Sequence, residues 1–116
     1  MGKLSTHVLD ITVGKPGVGV KVALYAVGPE GKVLLKSDVT NADGRCAPLL
    51  EGETMKAGKY ELVFGAGDYF AQQGVDLPSP RFIDEVTLSF GIASVEQNYH
   101  VPLVVSPWAY STYRGS

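Results

Sequence analysis

Val18-Gly19-Val20-Lys21-Val22-Ala23-Leu24-Tyr25-Ala26-Val27 is the stretch that sets the fold class. Val18, Val20, Val22, Leu24 and Ala26 fall on one side of an extended chain, and Gly19, Lys21, Ala23, Tyr25 and Val27 on the other. Side chains alternate across a strand, so the first set can face a core. The same period returns at Val33, Leu35 and Val39, at Tyr60, Leu62 and Phe64, and at Val86, Leu88, Phe90 and Ile92. Turn-forming groups separate these runs: Gly14-Lys15-Pro16-Gly17, Gly28-Pro29-Glu30-Gly31, Asn41-Ala42-Asp43-Gly44, Glu51-Gly52 and Ser106-Pro107. Short alternating segments with turns about every ten residues predict an all-β fold, a seven- or eight-stranded antiparallel β-sandwich. One segment breaks the rhythm. Asp68-Tyr69-Phe70-Ala71-Gln72-Gln73 predicts a short helix near residues 68–73, with Asp68 as N-cap and Gly74 beyond the C-cap. Leu77-Pro78-Ser79-Pro80 then reads as a connector.

The chain of 116 residues has the length of one domain, 1–116, with 45% apolar and 19% charged residues. A net charge of −2 gives no electrostatic pull toward nucleic acid or an anionic membrane, and neither partner is expected. No apolar run approaches the ~20 residues of a membrane helix, and the start lacks a signal-peptide core. The loose myristoylation match at Gly2 and Thr6 is outweighed by the strand pattern that begins at Ser5. The expectation is a cytoplasmic chain; a processed periplasmic or peroxisomal chain would read the same. Cys46 is the single cysteine, so no internal disulfide can support the fold.

Two strands depart from the simple pattern. Around the first histidine, Leu4, Thr6 and Val8 share one face, while Ser5, His7, Leu9 and Ile11 share the other. Around the second, Tyr99, Val101, Leu103 and Val105 make a core face, opposite Asn98, His100, Pro102 and Val104. A sheet face that meets water should be more polar than either outer face, so both are expected to be covered by another subunit. The only histidines of the chain, His7 and His100, lie on these faces. Histidine is the default acid or base near neutral pH. A lone strand histidine is more often a hydrogen-bonded bystander; two on faces of this kind form a candidate pair. Arg45 follows the Asn41-Ala42-Asp43-Gly44 turn, where it is either a plain surface charge or a guanidinium aimed at a carbonyl oxygen. The tail Tyr110 to Ser116 keeps two tyrosines and an arginine to its end, reading either as a frayed aromatic edge strand or as a terminus folded over a site. Zinc spacing, a nucleophile elbow, a phosphate loop and a dinucleotide fingerprint are missing from the sequence, so no metal and no cofactor are expected. Cys46 reads as a small strand residue rather than a low-pKa thiol.

Three blocks carry a resemblance to a known family. They are Leu4-Ser5-Thr6-His7-Val8-Leu9-Asp10 with its Gly-Lys-Pro-Gly turn, Thr40-Asn41-Ala42-Asp43-Gly44-Arg45, and Tyr99-His100-Val101-Pro102-Leu103 running to Tyr113-Arg114-Gly115-Ser116. In order and spacing these resemble the transthyretin-related family, and the final Tyr-Arg-Gly-Ser resembles its 5-hydroxyisourate hydrolase branch. The resemblance implies a transthyretin-like sandwich with one short helix. It implies a homotetramer whose central channel is lined by the outer faces of the first and last strands. It also implies hydrolysis of a ring amide of the small molecule 5-hydroxyisourate to 2-oxo-4-hydroxy-4-carboxy-5-ureidoimidazoline, in urate breakdown. Carried over residue by residue, His7, Arg45, His100 and Ser116 would be catalytic, and His7, Arg45, Tyr113 and Arg114 would bind substrate. Two rivals stand beside it: a transthyretin-like carrier of a small aromatic ligand in the same channel, and a structural or adhesion sandwich.

Overall fold

The computed structural model describes residues 1–115. In chain order the strands are β1 (Lys3–Ser5), β2 (Val8–Asp10), β3 (Lys15–Pro16), β4 (Lys21–Gly28), β5 (Gly31–Val39), β6 (Leu50–Glu51), β7 (Gly58–Phe64), β8 (Val86–Ile92), β9 (Tyr99–His100), β10 (Leu103–Val105) and β11 (Tyr110–Thr112). A single α-helix, α1 (Ala66–Gln72), follows β7, and a 3-10 turn (Gly52–Thr54) follows β6.

One layer is the antiparallel sheet β5-β4-β7-β8. The other combines β6-β1-β9 with β11-β10-β2-β3. Its centre is a pair of interrupted strands: β1 and β2 run beside β9 and β10, and the ladder continues through the interruption by bonds from Val101 N to Ser5 O (2.9 Å) and Leu103 N to His7 O (2.8 Å). These two pairings are parallel, a departure from the wholly antiparallel sandwich expected. Parallel neighbours need a long connection, and here nearly the whole chain runs between them.

The core lies where the alternation put it along most strands. Leu4, Val8, Leu103 and Val105 from one layer meet Val22, Leu24, Leu62 and Phe64 from the other, each at most 1% exposed. Truncating one such residue, Leu62→Ala for example, would cost about 2–5 kcal/mol. Val18 is the exception on the opening stretch: it precedes β4 and is 48% exposed. The larger correction is β5. Val33, Leu35 and Val39, expected to face the core, are 63%, 46% and 51% exposed. Strand β5 is an edge, and the facing layer is short there because β6 has only two residues. Alternation therefore located a strand but not a buried face.

The helix begins two residues earlier than expected, at Ala66, with Gly65 rather than Asp68 as its N-cap. The cause is tertiary. Gly67 N–H donates to Asp84 O (2.7 Å), and a Cβ at Gly67 would stand 2.9–3.0 Å from Arg81 Cδ, Ile83 O and Asp84 O. Asp68 instead sits in the first turn, where its charge suits the helix dipole, and accepts from Arg81 Nη1 at 2.6 Å. Gly74 ends the helix with φ +82°, as expected of a residue past the C-cap. On the helix, Tyr69 donates its hydroxyl proton to the buried carboxylate of Asp10 at 2.8 Å, tying α1 to the end of β2.

Candidate functional site

The outer face of the β1–β2/β9–β10 ladder carries the histidines. Parallel register sets Ser5 directly opposite His100, so both side chains leave the sheet on the same side. Serine Oγ and His100 Nδ1 are 2.8 Å apart. The His7 ring lies across the ladder from His100, with ring centroids 6.5 Å apart and planes tilted by 35°. Both side chains are half-buried.

Arg45 reaches this face through its backbone, bridging antiparallel to His7. The turn that delivers it is built by Asn41, whose Oδ1 accepts from Asp43 N (2.9 Å) and Arg45 N (3.1 Å). Gly44 has φ +74°, donates to Asn41 O and gives its own carbonyl to Val8 N at 2.8 Å. A Cβ there would lie 2.5 Å from Val8 O, so glycine is required for the turn to close on β2. The arginine side chain is exposed and makes no ion pair among the described residues.

The tail runs antiparallel beside the same ladder as its edge. His100 and Gly115 form an antiparallel bridge, with Gly115 N donating to His100 O at 2.7 Å and His100 N to Gly115 O at 3.3 Å. Glycine permits the approach, because a Cβ would come within 3.1 Å of His100 Cβ and 3.2 Å of Cδ2. Arg114 anchors the tail: Nη2 donates to Asn98 O (3.0 Å) and Gln97 Oε1 (3.2 Å), and Cζ lies 4.4 Å from the Tyr99 ring centroid. Tyr99 in turn accepts from Ala93 N and Ser94 N through its hydroxyl. The tail is thus the aromatic edge strand of one reading, but up to Gly115 it is tied down rather than frayed.

The face therefore brings together His7, His100, Arg45 and the tail. Arg114 has its guanidinium committed to Gln97, Asn98 and Tyr99, and Tyr113 is 61% exposed. Ser116 lies outside the described residues. Burial first, then the charge of Arg45 and the nearness of His7, holds His100 below the ordinary histidine value and so favours the neutral ring. Burial pushes the Cys46 thiol up to about 11, with Asp38 adding to it, which leaves it a protonated small side chain at neutral pH. Two concavities of the single chain, of about 730 Å3 beside Leu35 and Tyr60 and about 560 Å3 beside α1, contain neither histidine nor Arg45. The site is an open sheet face in one chain. Alternation alone puts Ser5 on the His7 face without a role; only the register against β9 reveals its contact with His100.

The sequence pattern of one protein family matches this chain from residue 4 to residue 115. The chain belongs to the HIUase/transthyretin family. Within the family, the 5-hydroxyisourate hydrolase of Pseudomonas aeruginosa is 55% identical over 117 residues, covering 100% of this chain and 93% of that one. The fold of this chain is the transthyretin-like β-sandwich. The structure of Klebsiella pneumoniae 5-hydroxyisourate hydrolase matches with a TM-score of 0.84 at 36% identity, over 100% of both chains. An (S)-allantoin synthase matches with a TM-score of 0.94 at 43% identity, covering 99% of this chain but 44% of the synthase.

Proposed function

We propose that this protein is a 5-hydroxyisourate hydrolase of urate breakdown, acting through His7, Arg45 and His100. The observation that carries the reading is the 6.5 Å approach of two imidazoles beside an arginine that makes no ion pair among the described residues. Full-length relatives bearing that name support the substrate.

The chemistry follows from the groups. Hydrolysis of a ring amide adds water to a carbonyl carbon and expels nitrogen. One histidine takes a proton from water as the C–O bond forms, and the carbonyl electron pair moves onto oxygen. Arg45 holds that oxygen while it carries charge, a contribution of about 3 kcal/mol for an oriented donor. The intermediate then collapses, the C–N bond breaks, and the other histidine delivers the proton that the departing nitrogen needs. Base and acid assistance of this kind is worth roughly 10²–10⁴-fold. A His100 held neutral can accept a proton at pH 7. Tyr113 and Ser116 are assigned to orienting water or substrate, with Arg114 holding the tail that carries them. The scheme draws on no metal or cofactor.

The reading extends to a homotetramer with sites between subunits. Beside the histidines the outer face carries half-buried Leu9 and Val104, and Ile11, two residues beyond Leu9, is 49% exposed. That apolar surface favours a covering chain, and a second chain would close a face that one chain leaves open.

The test generates 5-hydroxyisourate in situ with urate oxidase and follows its decay by ultraviolet absorbance. Wild type should accelerate decay and run as a tetramer by light scattering. His7→Ala and His100→Ala should remain tetrameric and lose at least ~100-fold in rate. Near-normal turnover in either variant would overturn the site assignment, and stoichiometric binding without turnover would favour the carrier.

A further inference from the structure

We infer that Ser5 is a positioning residue of this site, whose hydroxyl orients the His100 imidazole through Nδ1 so that Nε2 can both take and release a proton. Its consequence for rate rests on the hydrolase reading; its consequence for the ring does not.

The geometry is specific. Ser5 and His100 are direct partners in the parallel β1/β9 register, and the Ser5 carbonyl accepts from Val101 N at 2.9 Å. The serine side chain cannot slip along the strand without breaking that ladder. On the opposite flank, Gly115 packs its backbone against His100, with a close approach at Cβ and Cδ2. The ring is therefore held by the sheet below, the tail beside it and one hydroxyl at Nδ1.

The kind of partner decides what Nε2 can do. A backbone carbonyl at Nδ1 can only accept, which favours the tautomer with a bare Nε2. A backbone N–H can only donate, which favours the opposite tautomer. A carboxylate would hold the imidazolium and raise its pKa. A hydroxyl donates or accepts by rotating its proton, so it serves both neutral tautomers and the cation. The charged and titratable groups that act on His100 are Arg45 from the 41–45 turn and His7 from the β1–β2 junction, and no carboxylate is among its hydrogen-bond partners in the described residues. Burial, Arg45 and His7 lower the His100 pKa, and a hydroxyl at Nδ1 adds no charge to oppose them.

The test joins 15N NMR of the histidine rings with steady-state kinetics on wild type, Ser5→Ala, Ser5→Cys and Ser5→Thr. Ser5→Ala should change the His100 tautomer ratio and lower kcat roughly tenfold, the size of one hydrogen bond, with KM little moved. Ser5→Cys, similar in shape but a weak donor, should follow it. Ser5→Thr keeps the hydroxyl and should restore both the ratio and kcat to within about threefold. Unchanged tautomer ratio and kcat in both Ser5→Ala and Ser5→Cys would overturn the proposal. If wild type proves inactive toward the ureide, the hydrolase reading falls, while the NMR arm still decides the role of Ser5.

Discussion

At His100 the ring is confined by one hydroxyl, one backbone and two cationic or imidazole neighbours, and small changes there should act on function before stability. Gly115 tests this. Its bridge to His100 leaves 3.1 Å for an added Cβ, tight enough that the imidazole or the tail must move by a few tenths of an ångström. Gly115→Ala should lower turnover of 5-hydroxyisourate by roughly tenfold, since misplacing a catalytic group is costly, while the thermal midpoint stays near wild type because the tail is an exposed edge outside the core. Side-by-side calorimetry and kinetics check the split. Equal losses of stability and activity would show that the bridge is structural only.

Among the elements, the 41–45 turn is the one whose shape controls chemistry. It was readable as a turn from Asp43-Gly44, but what it closes on was not: Gly44 presses against Val8 O, and the following residue bridges to His7. Gly44→Ala adds a Cβ at φ +74° and 2.5 Å from that oxygen. The variant should lose more than about 1 kcal/mol in urea unfolding and also lose kcat/KM, because Arg45 would retreat with the turn. The link between α1 and β2 is likewise tertiary. Tyr69→Phe would leave a buried Asp10 oxygen without its donor and should cost about 1–3 kcal/mol, measured by the same unfolding curve. Helix α1 itself was legible from Asp68 to Gln73, yet its true start lies under residues 81–84, which no local propensity reports.

For the whole molecule, the neutral state of His100 links acidity to folding. Its folded-state pKa lies below the unfolded value, so between the two the unfolded chain binds more protons and stability rises with pH. Stability from this group is therefore undiminished above about pH 6.5 and is lost as pH falls through that value toward the folded pKa. His100→Gln should flatten that part of the stability profile, measured by urea midpoints across pH 5–8. An unchanged slope would show that His100 is not perturbed in the folded protein.

Alternation and turn chemistry by themselves determined the β-sandwich, most of its core and the two strands that carry the histidines, because a strand's period is a local property written residue by residue. The family and its substrate class were legible in the blocks around His7, Arg45 and the Tyr113 to Ser116 tail. Only the tertiary structure decided that β5 is an exposed edge, that the histidine strands run parallel, that Ser5 faces His100, and that Arg114 is spent on anchoring the tail. Each of these depends on which strand lies beside or across from which, a relation between residues far apart in the chain that no run of neighbouring residues encodes.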